Sequence, residues 1–127
     1  MKKKKILIVD DEEDLLDFIA MVLSDENYIT YKAKNVNEAL SILQNNKVDL
    51  ILLDIMLPEI DGFSFNNMLR SDDELRNIPV AFITARLDSQ DKIIGLKEGA
   101  VDYICKPFTS DELVNRVKQI FRKVEDG

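Results

Sequence analysis

The stretch Lys5 to Asp14, K-I-L-I-V-D-D-E-E-D, sets four apolar residues, Ile6 to Val9, directly against five consecutive acids. A short apolar run that stops at charge reads as a buried strand, and acids are favoured in the first turn of a helix, where unpaired N–H groups and the macrodipole carry partial positive charge. The helix follows at once. Leu15, Phe18, Ile19, Val22 and Leu23 fall at the i, i+3, i+4, i+7, i+8 spacing of one apolar stripe. Glu12, Glu13 and Asp14 are thereby explained as helix-start charges. Asp10 and Asp11, at the strand end, are not, and adjacent carboxylates there require a cation or another reason to be crowded.

The same strand-then-helix unit recurs along the chain. Strands are predicted at Ile6 to Asp10, Tyr28 to Ala33, Val48 to Asp54, Pro79 to Thr84 and Asp102 to Lys106. Between them, Val36, Ala39, Leu40 and Leu43 form a second helical stripe, opened by Asn35 with Glu38 three residues on, a capping-box-like start. A third helix runs from Phe63 to Leu69 after the Asp61-Gly62 turn, and a fourth from about Ser89 to Lys97, stopped by Gly99. Thr109 with Glu112 opens the last, whose stripe is Leu113, Val117, Ile120, Phe121 and Val124. Five alternating units imply an α/β fold: a doubly wound parallel sheet with helices on both faces, because parallel strands need crossovers. Val48 to Leu53 is apolar on both faces, as a central strand should be.

At 127 residues the chain fits one domain, 1–127, long enough to bury roughly two-thirds of its unfolded surface. The composition, 46% hydrophobic and 32% charged, is that of a soluble globular domain with no membrane span. Asp10 breaks the apolar run after Lys2 to Lys5 too early for a signal peptide, so the chain reads as cytoplasmic. The net charge of −7 argues against direct nucleic-acid binding by this chain. Lys2 to Lys5 reads as a solvated end guarding an apolar strand. The single cysteine, Cys105, cannot form an internal disulfide and reads as a small packed strand residue.

In such sheets, sites collect outside the carboxyl ends of the strands where the strand order reverses. Asp10 with Asp11, Asp54, Thr84 and Lys106 stand at four of those ends. Each alone has an ordinary structural reading: a loop cap, a strand residue, a solvated end. Together they form a constellation. Three converging carboxylates repel unless a hard divalent cation such as Mg²⁺ joins them, and a lysine and a hydroxyl opposite suit an incoming phosphoryl group.

These residues resemble the receiver domains of bacterial two-component response regulators. The resemblance is carried by V-D-D-E at Val9 to Glu12, L-L-D-I-M-L-P-E-I-D-G at Leu52 to Gly62, I-T-A-R at Ile83 to Arg86 and D-Y-I-C-K-P-F at Asp102 to Phe108. It covers the chain from Lys5 to about Lys123. It implies the flavodoxin-like strand order 2-1-3-4-5, Asp54 as phosphoacceptor, and Mg²⁺ held by Asp10, Asp11, Asp54 and the backbone carbonyl of Met56. It further implies phosphoryl oxygens bound by Thr84 and Lys106, and a cis bond before Pro107. The donor would be a sensor histidine kinase or phosphotransfer protein; the chain has no histidine of its own. Small phosphodonors could substitute.

The resemblance also implies a switch in which Thr84 moves toward the phosphoryl group and the Tyr103 ring turns inward, remodelling the face of the fourth helix, fifth strand and fifth helix. M-L-P-E-I-D-G, T-A-R and D-K-I-I-G-L-K-E-G-A are closest to receivers that precede winged-helix DNA-binding domains. Those receivers dimerise through charged pairs on that face. Lys92 with Glu112 and Asp102 with Arg116 are available for a homodimer; two other pairs are lost, with Val101 where an acid is usual and Lys97 facing Lys118. No DNA-binding domain follows Gly127, which reads as a stand-alone receiver or the receiver piece of a longer regulator.

Rival chemistries fit less well. An FMN carrier needs a hydroxyl- and glycine-rich phosphate loop where this chain has acids, and no G-x-x-x-x-G-K nucleotide loop exists. An aspartate-nucleophile phosphohydrolase places a second Asp two residues after the nucleophile, where this chain has Met56. A receiver acting only as a binding module disagrees with the intact set of acids, Thr84 and Lys106.

Overall fold

The structure, a computed structural model, describes residues 2–85 and 99–126. Strands β1 (Lys5–Val9), β2 (Ile29–Ala33), β3 (Leu50–Leu53), β4 (Val80–Thr84) and β5 (Asp102–Cys105) form one sheet in the order β2-β1-β3-β4-β5. Every neighbouring pair is parallel. Strand order therefore reverses between β1 and β3. The helices are α1 (Glu13–Asp25), α2 (Val36–Asn45), α3 (Gly62–Arg70) and a C-terminal helix (Ser110–Asp126). The helix expected at Ser89 to Lys97, with Lys92, lies outside the described residues, as does Arg86.

The two-residue period of a strand sorts the core into two layers. Ile6, Ile8, Leu50, Leu52, Ala81 and Ile83 face α1 and the C-terminal helix, packing on Leu16, Ile19, Leu23, Leu113, Val117 and Ile120. Leu7, Val9, Ile51, Leu53, Val80 and Phe82 face the other way, onto Val36, Ala39, Leu43, Phe65 and Leu69 of α2 and α3. Both faces of β3 are covered, so all four of its residues are buried.

Helix starts follow their capping residues. Asn35 Oδ1 accepts the Glu38 N–H at 2.8 Å, while the Glu38 carboxylate reaches back to the Lys34 N–H rather than to that of Asn35. Asp61 Oδ1 accepts the Ser64 N–H at 2.9 Å and Thr109 Oγ1 that of Glu112 at 3.1 Å.

Three strands end one residue earlier than the apolar pattern predicts, at Val9, Leu53 and Cys105. The next residue in each case still donates its N–H to the neighbouring strand: Asp10 to the Ala33 carbonyl, Asp54 to that of Val9, and Lys106 to that of Thr84. The chain turns out of the sheet at those points. Asp10, Asp54 and Lys106 are thus anchored by the sheet without belonging to it. At the amino ends, β4 starts at Val80 because Pro79 has no N–H to give, and β2 starts at Ile29 because the Tyr28 N–H is held by the Leu23 carbonyl at the end of α1.

Candidate functional site

Asp10 follows β1, Asp54 follows β3 and Lys106 follows β5, and their side chains meet in one crevice. The Lys106 ammonium lies 2.8 Å from Asp10 Oδ2, 3.1 Å from Asp54 Oδ2 and 3.3 Å from Glu12 Oε1. Asp10 and Asp54 are only 1% and 3% exposed. Each spends its other oxygen on the backbone: Asp10 Oδ1 accepts the Glu12 N–H at 2.9 Å, and Asp54 Oδ1 accepts the Met56 N–H at 3.0 Å. Both carboxylates are therefore held in one orientation, with one oxygen turned to the lysine.

The charges are strongly coupled. Burial alone would lower the affinity of Lys106 for its proton, but the close contact with Asp10 and the charges of Asp54 and Asp10 outweigh it, and its pKa is pushed up to about 12. The lysine is a fixed positive charge at neutral pH. Burial pushes the Asp10 carboxyl up, against the pull of Lys106 and the Glu12 N–H.

Asp10, Glu12 and Asp54 present carboxylate oxygens within 4.8 Å of one another. One ammonium cannot neutralise three such groups. Buried Asp10 Oδ2 has the ion pair with Lys106 but no aligned hydrogen-bond donor among the described residues. An all-oxygen, net-negative donor set with an under-satisfied buried oxygen suits a hard divalent cation.

Glu12 is the residue whose part in the site the sequence pattern missed. It occupies the N-cap of α1 but its side chain caps no N–H; it points to Lys106 instead, so its role is not confined to the helix start. Its place directly after Asp10-Asp11, one turn short of the apolar stripe, fits a helix cap as well as a site residue, so the sequence alone did not mark it. Asp11, by contrast, is exposed and outside that cluster. Met56 is 58% exposed beside the crevice. Thr84, buried, ends β4 beside Cys105 of β5. The Lys106–Pro107 peptide is cis.

The Tyr103 ring is buried, 6.3 Å from the ring of Phe82 on the neighbouring strand. Asp102 and Arg116 are paired within the chain: Nε and Nη2 of Arg116 both reach the Asp102 carboxylate, the first at 3.0 Å, and Nη2 also reaches the Tyr103 carbonyl. Glu112 is engaged with Thr109 at the helix start, and Lys118 with Glu26 at 3.0 Å. Cys105, expected to be packed, is exposed. It is the last residue of β5, the edge strand of the sheet.

The family described as response regulator receiver domain matches residues 6–118. The chain is 41% identical over 127 residues to the phosphate regulon transcriptional regulatory protein PhoB of Pseudomonas aeruginosa, covering all of this chain and 56% of that protein. It is 37% identical over 124 residues to the DNA-binding response regulator MtrA of Mycolicibacterium smegmatis, covering 98% and 53%. The chain thus spans about half the length of these relatives. A crystal structure of a response regulator from Chloroflexus aurantiacus superposes with a TM-score of 0.86 at 36% identity, over 94% of this chain and 98% of that one. A Francisella receiver domain does so at 0.85 and 35%, over 95% and 98%. No helix among the described residues is long and apolar enough to cross a membrane.

Proposed function

The chain belongs to the response regulator receiver domain family, a family of phosphotransfer switches, and from that premise we propose that Asp54 accepts a phosphoryl group from the phosphohistidine of a sensor histidine kinase or phosphotransfer protein. The observation that most supports this reading is the setting of Asp54: a nearly buried carboxylate, one oxygen pinned by the Met56 N–H and the other 3.1 Å from a lysine that is charged at neutral pH. A nucleophile so oriented needs no further positioning.

In the transfer, an oxygen of Asp54 forms a bond to phosphorus as the donor's P–N bond breaks, and that bond's electron pair leaves with the imidazole. Lys106 and the Thr84 hydroxyl would bind the transferring oxygens as they gain charge. Asp10, Asp11, Asp54 and the Met56 carbonyl would hold Mg²⁺, which when bound offsets the remaining negative charge on those oxygens. With Met56 where a phosphohydrolase carries its second acid, the phosphorylated Asp54 persists long enough to signal.

The readout is a population shift between two packings involving Thr84 and Tyr103. It alters the face formed by the fourth helix, β5 and the C-terminal helix, and so an output domain or partner. A homodimer on that face would use Lys92 with Glu112 and Asp102 with Arg116. Because Asp102 and Arg116 already pair within the chain, dimerisation exchanges an internal ion pair for an external one and gains little from it. The names of the relatives point to transcription regulation as the output of such a regulator.

Incubation with Mg²⁺ and acetyl phosphate, followed by intact mass measurement, tests the central step. The protein gains one phosphoryl group and Asp54→Asn gains none. If the native chain gains nothing from acetyl phosphate or from a phosphorylated donor protein, the proposal fails. The ligand set has its own test in Mg²⁺ titrations followed by calorimetry: Asp11→Asn weakens binding roughly tenfold or more, and Glu12→Gln, whose carboxylate also serves Lys106, by less. Equal losses would place Glu12 among the ligands, and no loss in Asp11→Asn would remove Asp11 from them.

A further inference from the structure

At the opposite end of the sheet from the acidic crevice lies a cavity of about 440 Å³ lined by Lys2, Lys3, Lys4, Lys5 and Lys47, with Ile29 and Asp49. Lys5 and Ile29 are register partners that open β1 and β2, so this cleft sits at the amino ends of the strands. Five of the 17 basic residues of a chain with net charge −7 are gathered there. Elsewhere, Lys32, Lys34, Arg76 and Lys118 pair with Asp17, Glu13, Asp73 and Glu26, whereas Arg70 and Lys123 reach backbone carbonyls. In the cleft only Lys4 has one, Glu125 at 3.1 Å. Lys2, Lys3, Lys5 and Lys47 make no ion pair among the described residues. The Asp49 carboxylate is engaged at 2.8 Å by the backbone N–H of Lys5 rather than by an ammonium.

Two ordinary duties leave Lys47 unexplained. The carbonyls of the last turn of α2 take the side-chain amides of Asn45 and Asn46, at 2.9 and 3.1 Å, so Lys47 is not needed as a C-terminal cap. Charges flanking the apolar strand β1 guard it against aggregation, but that duty does not account for Lys47, which follows α2 and lies far from β1 in sequence. Crowded ammonium groups repel, and each carries three donors suited to phosphate oxygens. The cavity also has the size of a small-molecule site.

We propose that this cleft binds a small, multiply charged phosphate anion, independently of the chemistry at Asp54. The probe is inorganic tripolyphosphate, titrated without Mg²⁺ into the ¹⁵N-labelled protein and followed by NMR. Saturable shifts are expected at the amides of Lys4, Lys5, Ile29 and Lys47, weakening as salt is added. Lys3→Gln combined with Lys47→Gln changes two exposed side chains and lowers the affinity roughly tenfold or more, while Asp54 still gains mass from acetyl phosphate. A parallel titration with a nucleoside triphosphate identifies the source: equal affinity means that the phosphate chain alone is recognised, and tighter binding means a nucleotide. The proposal is overturned by shifts that do not saturate, by shifts that survive the double substitution, or by shifts centred on Met56 and Lys106.

Discussion

Gly62→Ala lowers the stability of the domain by about 2–3 kcal/mol and slows phosphoryl acceptance at Asp54, although the substitution adds one methyl group. Gly62 opens α3, and a Cβ built there stands 2.7 Å from the Asp54 carbonyl oxygen, 2.7 Å from Ile55 Cα and 3.2 Å from the Asp54 carbonyl carbon. All three are backbone atoms, so no rotamer change relieves the clash. The Gly62 N–H also donates to the Ile55 carbonyl at 2.7 Å. The start of α3 and the segment after β3 are therefore locked together, and pushing them apart moves the residue that carries the proposed nucleophile. For a domain of this length the loss corresponds to a fall in melting temperature of roughly 10 °C. Calorimetry and the rate of mass gain with acetyl phosphate read the two effects; a variant that melts with the native protein would show that this contact yields without cost.

Lys106→Met destabilises the metal-free protein by about 3 kcal/mol near neutral pH, because breaking a buried ion pair leaves its other members uncompensated. Here two nearly buried carboxylates, Asp10 and Asp54, would face each other without the ammonium between them. The pH dependence follows from the direction of each shift. The native pKa of Lys106 is raised to about 12 from 10.5, so the stability that it contributes is full below 10.5 and lost as pH rises through about 12. The native pKa of Asp10 is raised above 3.8 by burial, and removing the lysine raises it further. Such a group binds more protons folded than unfolded, so it costs stability above its native pKa and the cost disappears as pH falls toward 3.8. The gap between the variant and the native protein is thus widest from neutral to mildly alkaline pH and narrows in acid. Urea denaturation at several pH values measures it. Added Mg²⁺, bound as proposed, would close part of the gap because the variant lacks the ammonium that competes for the same oxygens and so gains more from folded-state binding than the native protein does. Phosphoryl acceptance falls by roughly 10²–10³. A gap that does not change with pH would mean that the carboxylates do not depend on Lys106 for their charge.

The acids at the ends of β1 and β3 could be read from the chain because an apolar run that stops at a carboxylate is visible locally. The two-sided burial of β3 was equally visible, since L-I-L-L leaves no polar face. Other features had no local signal. Lys106 and Glu12 are 94 positions apart, and Lys106 and Asp54 are 52 apart; nothing near Glu12 distinguishes a carboxylate that caps a helix from one that turns away to meet a lysine. The exposure of Cys105 depends on what covers an edge strand. The Asp102–Arg116 pair depends on how the C-terminal helix lies along β5.

The periodicities of the sequence specified the alternation of strands and helices, most of the core (Val124, in the predicted stripe, is exposed) and the kind of chemistry at the strand ends, because a two-residue or 3.6-residue period is a property of neighbours along the chain. Only the folded sheet selected the groups that meet. Placing β1 between β2 and β3 brings Asp10 beside Asp54, and the parallel register of β4 and β5 sets Lys106 opposite them. Side-chain charge becomes a site when topology removes it from water and holds it within a few ångströms of its partners, and that is decided by long-range pairing of strands.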